Sequence, residues 1–390
     1  MDWSVFTTFS FGLVSFAVFA SALLIQLWYY LGFFSRLAFY KKKTLPENTP
    51  PASIVICARN EDDNLVEFLP RIFEQDYPEF EVVVVNDCSW DNTSDFLKEF
   101  GQKHPNLKVV TIKEDDTYSH GKKVALMMGI KGATHEHMLL TDADCRPNSK
   151  DWLRNMMQHF STETEIVLGY GAYEKQSGFL NKIIRYDTFM IALQYLSFAL
   201  AGKTYMGTGR NLAYKKSLFF KMKGFASHYH IDSGDDDLFI NEAATKQNSK
   251  IEVSVANHTV SRVKKTFKSW FSQKRRHVTT FKFYNKGSKF RLMTISFSQY
   301  SFFISFAVSL SFQFQPILVL SLFALRLLIQ IIIFNKSMKQ LAEKDLLLLA
   351  PFIEIVLLFV YPMITISNIF IKKNSASKLW MNLNLTRIFL

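Results

Sequence analysis

The sequence is short of cysteine, with three among 390 residues. Cys57, Cys88 and Cys145 are too few and too irregularly spaced for a disulfide framework or a structural zinc site. The chain also has no internal repeat and no low-complexity tract, which excludes repeat architectures. We therefore expect reduced thiols in a cytosolic setting and a fold held together without cross-links.

Acidic residues are missing between Arg262 and Arg291, where lysine and arginine are frequent. The formal net charge of the chain is +12, which by itself could indicate nucleic-acid binding. No zinc-finger, RNP or helix-turn-helix pattern accompanies this charge, so no nucleic-acid partner is expected. Arg36 and Lys41 follow the first apolar run, and basic residues beside a membrane span mark its cytoplasmic side and attract anionic lipids.

Four apolar runs are long enough to cross a bilayer, which needs roughly 20 residues. They are residues 3–34, 292–312, 316–334 and 346–371. The first run is preceded by an acid, Asp2, and is long for a signal peptide, so it is expected to be a retained anchor. A further apolar stretch at 178–201 is short and interrupted, which favours a buried or interfacial helix over a span.

These patterns predict an integral protein of the inner or plasma membrane with six regions. They are an N-terminal transmembrane helix at 1–35, a linker at 36–50, a cytoplasmic domain at 51–260, a basic interfacial segment at 261–290, about three transmembrane helices at 291–372 and a basic tail at 373–390. Three later spans would place Lys372 and Arg387 outside, against the positive-inside tendency. Either residues 346–371 re-enter the same face, or the tendency fails here.

Short strands and helices alternate through the central region. Strands are predicted at 52–58, 80–85, 107–112 and 136–140, and helices at 64–75, 93–103 and 122–131. This alternation predicts an α/β fold with a mostly parallel, Rossmann-like sheet, whose ligands lie beyond the carboxyl ends of the strands. Asp87 and Asp142 fall at two such ends.

Asp142 and Asp144 follow an apolar strand and would project two carboxylates into a cleft. Like charges this close repel unless a cation lies between them, and Mg²⁺ or Mn²⁺ prefers carboxylate and phosphate oxygens. The alternative is a solvated turn with capping aspartates. The short pattern alone does not separate the two readings.

Two further motifs can each be interpreted as structural or as functional. Gly234-Asp235-Asp236-Asp237-Leu238 could be an acidic helix cap, but three acids exceed what a cap needs, and one could act as a general base. The segment from Ser269 to His277 is aromatic and basic, as an interfacial anchor would be. Its cations could also neutralise a departing pyrophosphate.

In their order along the chain, these motifs resemble those of the family 2 glycosyltransferases, which have a GT-A fold. The resemblance covers about residues 52–285. The resemblance implies that Ala58, Arg59, Asn60 and Glu61, at the end of the opening strand, contact the nucleotide, as does Asp87. It further implies donor contacts from Lys122 and Asp142 and metal binding by Asp142 and Asp144. Gln273 and Arg276 resemble the Q-x-x-R-W motif that lies over the donor.

The chain departs from the family pattern at two positions. Gly234 replaces the usual Glu of the E-D-x-D-L motif, which leaves Asp236 beside Asp235 as a candidate for the catalytic base. His277 replaces the Trp that processive synthases usually keep, which puts processive synthesis in doubt. Gly209 and Asn211 lie where the family has its acceptor-side loop.

The resemblance implies an inverting, metal-dependent hexosyltransferase. Its expected donor is a nucleotide diphosphate sugar, in particular a UDP-sugar, and its expected acceptor is lipid-linked or a membrane-proximal glycan. Mg²⁺ or Mn²⁺ is the expected cofactor, and membrane lipids are expected partners. A processive polysaccharide synthase and a non-catalytic scaffold that binds nucleotide sugars remain alternatives, whereas a transporter is disfavoured by the few ionisable residues, mainly Arg326 and Glu354, in the spans.

Overall fold

The computed structural model describes residues 3–42, 44–113, 121–231 and 233–386, with side chains given for residues 10–370 among them. Arg387 and the rest of the predicted tail beyond it lie outside the described residues. The helices are α1 (Trp3–Tyr29), α2 (Ser35–Ala38), α3 (Asp62–Phe73), α4 (Thr93–Lys103), α5 (Lys122–Gly132), α6 (Trp152–Met157), α7 (Phe179–Leu200), α8 (Lys216–Lys221), α9 (Asp237–Ala243), α10 (Phe267–Val278), α11 (Lys286–Ser311), α12 (Pro316–Gln340) and α13 (Ala350–Thr386). The strands are β1 (Ala52–Ala58), β2 (Phe80–Asp87), β3 (Leu107–Ile112), β4 (His137–Asp142), β5 (Cys145–Pro147), β6 (Ile166–Leu168), β7 (Gly171–Tyr173), β8 (Leu212–Lys215), β9 (Ser249–Ile251) and β10 (Thr259–Ser261).

Seven strands form the main sheet in the order β3-β2-β1-β4-β8-β6-β9. β8 pairs antiparallel with both β4 and β6, and the other pairs in this sheet are parallel. The prediction of a mixed, mostly parallel α/β sheet is confirmed. Because β1, β2 and β4 are parallel neighbours, their carboxyl ends meet at one edge of the sheet.

The strand assignments follow from short β-branched runs, which are largely buried in β1, β2 and β4 and partly exposed in the edge strand β3. β1 and β3 end where the sequence predicts, whereas β2 continues to Asp87 and β4 to Asp142. Both aspartates are therefore the last residues of strands, and the sheet fixes their backbone. The predicted helix at 64–75 begins two residues earlier, at Asp62, where two acids favour a helix start.

A smaller sheet lies beside this edge in the order β5-β10-β7. β10 pairs antiparallel with β5 and parallel with β7. Ser261 is paired with both Cys145 and Tyr173, so these three side chains share one face of the small sheet. β5 begins one residue after Asp144, and the small sheet therefore holds the chain on the far side of the acidic triplet.

Among the described residues, four helices are long and apolar enough to cross a membrane. They cover Ser10–Ala38, Lys286–Ser311, Pro316–Gln340 and Ala350–Phe370. The first runs from α1 through a π-helical turn, Tyr30–Phe34, into α2, so the predicted linker from residue 36 begins inside a helix. Helix α13 runs without a break from Ala350 to Thr386 and contains Pro362.

Helix α7 corresponds to the apolar stretch predicted at 178–201. Most of its residues are buried, and it contacts α2, α13, β7 and β9. It is therefore an internal helix between the sheets and the membrane helices, as the shorter and more interrupted apolar pattern indicates.

A buried ion pair joins the four candidate spans. Arg326 of α12 and Glu354 of α13 are each 2% exposed, and Arg326 Nη2 lies 2.6 Å from Glu354 Oε1. Gln330 and Gln299 donate to Glu354 at 2.8 and 2.7 Å, and Arg326 Nε donates to Gln26 Oε1 of α1 at 2.9 Å. Since each charge has several partners, this network holds the bundle together without leaving a charge unpaired.

Candidate active site

The candidate site forms where the carboxyl ends of β1, β2 and β4 meet. Ala58 is paired with Asn86, and Cys57 is paired with Asp142, so the ends of the three strands are in register. Asp87 is 6% exposed at the end of β2. Asp87 and Asp142 are 55 positions apart in the sequence, yet both lie at this edge of the sheet, as the parallel topology requires.

The loops after β1 and β2 are bonded to each other. Asn60 and Cys88 both adopt left-handed backbone conformations, with φ of 55° and 54°. The Asn60 N–H donates to Ser89 Oγ at 3.0 Å, and Trp90 N–H donates to Asn60 Oδ1 at 3.0 Å. Arg59 lies 5.7 Å from the ring centre of Trp90, which is 77% exposed. Sequence reasoning missed Trp90, although an exposed tryptophan beside an acidic strand end is a recognisable signal.

The next residue, Glu61, is half-buried and faces the acidic side of the site. Its N–H donates to Thr93 Oγ1 at 3.1 Å, and its carboxylate accepts from Asn64 Nδ2 at 2.5 Å. Burial raises the pKa of Glu61, and the negative charges of Asp144 and Asp142 add to this effect. Glu61 therefore belongs to the same electrostatic neighbourhood as the two aspartates.

Lys122, the first residue of α5, connects two acidic segments. Its Nζ lies 2.9 Å from Asp142 Oδ1 and 3.1 Å from Asp235 Oδ2. These carboxylates, together with Asp236, raise the pKa of Lys122 although desolvation opposes its charge. A small cavity is lined by Lys122, Asp142, Gly209, Asp235 and Asp236. The structure thus brings together residues from four separate motifs.

Asp142, Asp144 and Cys145 offer atoms that could surround a cation. One carboxylate oxygen from each aspartate and the Cys145 Sγ lie within 4.8 Å of one another. Burial and the charge of Asp142 raise the pKa of Asp144, as expected for two acids competing for one place. Burial also raises the pKa of Cys145, whose thiol lies 2.9 Å from Ser261 Oγ. The donor set is therefore two carboxylates beside a protonated thiol, which fits an oxygen-seeking Mg²⁺ or Mn²⁺.

Arg210 lies between the predicted acceptor-side residues Gly209 and Asn211, and sequence reasoning assigned it no role. Its guanidinium lies 4.3 Å from the ring centre of Tyr173 and donates to Ser261 Oγ at 3.3 Å. After Lys122, the Arg210 charge helps to hold the pKa of Asp142 below its usual value, and it opposes the rise in the pKa of Asp144. A fixed arginine beside two metal-type carboxylates is suited to bind phosphate oxygens.

The acidic triplet at the start of α9 contains three carboxylates with different surroundings. Asp236 caps α9, accepting from Asp237 N–H and Gly209 N–H, each at 2.7 Å. Burial and the charges of Asp235 and Asp237 raise the pKa of Asp236 to about 7. Asp237 points away from the cavity and accepts from Thr280 and Tyr284. Asp235 and Asp236 therefore face the cavity, while Asp237 holds the helix.

The two predicted acceptor-side residues occupy different positions. The backbone of Gly209 reaches the cavity and donates to Asp236. The Asn211 side chain is fully buried and bonds Trp152 Nε1 and the carbonyls of Tyr170 and Asn257. The Asn211 amide stabilises the loop from the interior of the sheet. It does not reach the cavity, because its hydrogen bonds go to Trp152, Tyr170 and Asn257.

Helix α10 carries the predicted donor residues Gln273 and Arg276. Gln273 Nε2 donates to Tyr173 OH at 3.4 Å, which places it beside the Arg210–Tyr173 pair. Arg276 and His277 are exposed. Desolvation in the cleft and the charges of Lys274 and Arg276 lower the pKa of His277, so its ring is neutral at pH 7. Gln273 therefore brings α10 to the site through Tyr173, and the neutral His277 ring adds no charge there.

Residues 53–222 match the family model described as Glycosyl transferase family 2. A poly-beta-1,6-N-acetyl-D-glucosamine synthase of Staphylococcus epidermidis is 29% identical over 188 residues, covering 47% of this chain and 43% of the relative. A dolichyl N-acetyl-alpha-D-glucosaminyl phosphate 3-beta-D-2,3-diacetamido-2,3-dideoxy-beta-D-glucuronosyltransferase of Methanococcus voltae is 30% identical over 176 residues, covering 43% of this chain and 49% of the relative. The similarity thus spans less than half the length of these curated relatives.

A solved structure shares the fold over most of the chain. It is a mannosyltransferase from Pyrobaculum calidifontis in complex with GDP-Man and Mn²⁺, at 19% identity and a TM-score of 0.57. The match covers 88% of this chain and 99% of the other. The likeness therefore extends beyond the sheet domain and establishes the GT-A fold.

Proposed function

Because the chain carries a domain of glycosyl transferase family 2, we propose that the whole protein is a membrane-bound, inverting glycosyltransferase. It moves a sugar from a nucleotide diphosphate sugar, a UDP-sugar in the first instance, to a lipid-linked or membrane-proximal glycan. The observation that carries this proposal is the position of Lys122, whose ammonium lies between Asp142 and Asp235. The Lys122 ammonium thereby contacts both Asp142, which is suited to bind a metal, and Asp235, which is suited to act as a base.

Asp142 and Asp144 would hold a Mg²⁺ or Mn²⁺ ion. Their oxygens lie close together, and the neighbouring thiol is protonated, so the donor set suits a hard divalent ion. Such an ion supplies charge stabilisation for a leaving diphosphate. Lys122, Arg210 and Arg276 would add further positive charge around the same phosphates.

The nucleoside would lie over the bonded loops that follow β1 and β2. Ala58, Arg59, Asn60 and Glu61 border one side of this surface, and Asp87 closes its inner end at a strand terminus. An aromatic ring at the rim, Trp90, is available to stack on a base. These positions agree with the ligand edge of a parallel sheet.

We assign the general base to Asp235 and a positioning role to Asp236. Both oxygens of Asp236 already accept backbone N–H groups, whereas among the described residues Asp235 is paired with Lys122. When a donor diphosphate draws the Lys122 ammonium, Asp235 is released to take a proton from an acceptor hydroxyl. The hydroxyl oxygen then attacks the anomeric carbon, the bond to the diphosphate breaks, and the configuration inverts.

The acceptor and the orientation are inferred from the membrane helices and the relatives. Basic residues follow the first span and precede the second, which favours a cytoplasmic catalytic domain. One relative is named as a polysaccharide synthase and another as a transferase acting on a dolichyl phosphate sugar. Both names suit an acceptor that is kept at a membrane surface.

A processive polysaccharide synthase is the second candidate function. The similarity to a poly-N-acetylglucosamine synthase favours it, whereas His277 in place of Trp disfavours it. Product length separates the two functions: a single-addition enzyme yields one added sugar per acceptor, and a synthase yields long chains when donor is in excess.

The base assignment is tested with purified full-length protein, a membrane-lipid extract as acceptor and a panel of UDP- and GDP-sugars. Asp235→Asn should lower turnover by about 10²–10⁴-fold, since this is what a general base contributes. Asp236→Asn should lower it less. NMR of the product should show an inverted anomeric centre. Equal loss in both variants would contradict the division of roles, and retained configuration would contradict direct displacement.

A further inference from the structure

Helix α10 lies between the active-site cleft and membrane helix α13, and its opposite faces contact the two. Gln273 reaches Tyr173 OH on the cleft side. Arg275, two residues further along and therefore on the other side of the helix, donates to Asn368 Oδ1 of α13 at 3.1 Å. Asn368 Nδ2 donates back to the Arg275 carbonyl at 3.2 Å. The position of α10 thus depends on contacts outside the catalytic sheet.

A buried carboxylate fixes the same helix from a third direction. Asp187 of α7 is 1% exposed at its side chain and forms an ion pair with Lys274 of α10, whose side chain is 10% exposed. Asp187 also accepts a hydrogen bond of 2.5 Å from Tyr361 OH of α13. One carboxylate therefore ties an internal helix, the cleft helix and a membrane helix together. A charge buried this deeply is retained only with strong partners.

We propose that Asp187 is a positioning residue that sets the affinity for the donor diphosphate by holding α10 in place. Residues 273, 276 and 277 share one face of α10, since they are three and four positions apart. Lys274 projects beside that face, so its bond to Asp187 fixes the rotation of the helix about its own axis. If the bond is lost, Gln273 and Arg276 move away from the cleft together.

This assignment makes the C-terminal membrane helix part of the donor site. Tyr361 and Asn368 both lie within α13, and both bond groups that hold α10. A change in the packing of α13 would therefore change the affinity of the nucleotide site, although α13 does not line the cavity beside Lys122. The inference rests on the proposed function, because it assumes that Gln273 and Arg276 contact the donor.

The structure supplies a matched control on the same helix. Arg185 of α7 pairs with Glu343 in the turn between α12 and α13, and their side chains are 3% and 2% exposed. This pair is as buried as Asp187 and also joins α7 to the membrane region. It has no bond to α10 among the described contacts, and Arg185 keeps Asp345 as a second partner at 2.8 Å. Glu343→Gln therefore changes a similar carboxylate without releasing α10.

The experiment measures the Kd of UDP and GDP, with Mn²⁺, for full-length protein in detergent, together with the thermal midpoint of each variant. Asp187→Asn should weaken nucleotide binding about tenfold, and Tyr361→Phe about threefold, since Tyr361→Phe removes one hydrogen bond to the Asp187 carboxylate and leaves its ion pair with Lys274 in place. Glu343→Gln should change binding less than twofold even where it lowers the midpoint. Asp187→Glu should restore part of the affinity.

Three results separate the possible failures. If Asp187→Asn does not fold, Tyr361→Phe decides alone: a nucleotide Kd equal to wild type would overturn the inference. Equal weakening in Asp187→Asn and Glu343→Gln would also overturn it, because the effect would then be general loosening of α7. If the wild type binds neither nucleotide, the proposed function fails, and the role assigned to Asp187 fails with it.

Discussion

Two groups of charged side chains in this protein are surrounded very differently. In the membrane bundle, Arg326 and Glu354 are each 2% exposed, and amide side chains occupy the remaining bonding positions. At the edge of the main sheet, Lys122 remains 43% exposed and serves two carboxylates, while Asp144 has an elevated pKa beside Asp142. Every charge of the first group is balanced by partners within the protein, whereas the crowded carboxylates of the second group are not fully neutralised.

This difference distinguishes charges that stabilise the fold from charges that are suited to bind a ligand. A complete ion pair gains little from a further ion, because its partners are already in place. Crowded carboxylates with raised pKa values gain much from a cation, and perturbed titrating groups in a cleft are typical of functional sites. Four variants test this difference between the two groups of charges.

The largest expected effect comes from the acidic edge of the sheet. Asp142→Asn removes one of the two carboxylates proposed for the metal and also the partner of Lys122. Turnover should fall by about 10³-fold or more, as when a charge-stabilising group is lost from a transition state. The thermal midpoint should stay close to wild type, because the loss of the partly exposed ion pair with Lys122 is offset by the relief of the repulsion between Asp142 and Asp144. A large drop in the midpoint would place Asp142 among the structural charges.

The opposite pattern is expected in the membrane bundle. Glu354→Gln leaves Arg326 buried without a counter-charge, and breaking a buried pair costs about 3–5 kcal/mol of stability. The thermal midpoint in detergent should fall, while the Kd for nucleotide in the remaining folded protein should be unchanged. The double variant Arg326→Met/Glu354→Met serves as control and should be less destabilised than Glu354→Gln. A selective loss of nucleotide affinity in Glu354→Gln would show that the bundle charge takes part in binding.

A pH-dependent effect is expected from Asp236, whose pKa is raised to about 7. The folded protein keeps this proton while the unfolded chain loses it near pH 4, so stability from this group falls as pH rises from about 4 to 7. Asp236→Asn should remove that part of the dependence, raising the midpoint relative to wild type at pH 8 more than at pH 4. Thermal scans at both pH values measure this. A constant difference between the two proteins would contradict the raised pKa.

The smallest effect is expected at Cys145. Its thiol lies beside Asp144 but is protonated and bonded to Ser261, so it should not ligate the metal. Cys145→Ala should change the Mn²⁺ concentration for half-maximal activity less than about twofold, because hard divalent ions prefer oxygen. Titration of activity with Mn²⁺ measures this. A tenfold increase would indicate that the thiol belongs to the donor set.

Sequence reasoning predicted the fold well where periodicity and strand ends carry the information. The β-branched runs give β1 and β3 at their observed bounds, and the acids at the ends of β2 and β4 mark the ligand edge. Parallel topology then brings Asp87 and Asp142 to one place without further knowledge. The apolar run lengths similarly give four candidate spans and one internal helix.

Sequence reasoning could not predict contacts that depend on how distant segments pack. Arg210 follows a glycine-containing loop, and nothing in that pattern shows that its charge reaches Asp142 and Asp144. The burial of Asn211 depends on Trp152, 59 positions earlier in the chain. The bond between Asp187 and α10 joins an apolar helix to a basic one, and it arises only once α13 packs beside both.

The most direct test of the account is release of nucleoside diphosphate by full-length protein in detergent. UDP- and GDP-sugars would be supplied with a membrane-lipid extract, and Mn²⁺ or Mg²⁺ would be titrated from zero. The account predicts turnover that requires the ion in wild type and in Tyr361→Phe, and that is lost in Asp142→Asn at every ion concentration. Turnover that is independent of the ion, or equal in wild type and Asp142→Asn, would contradict it.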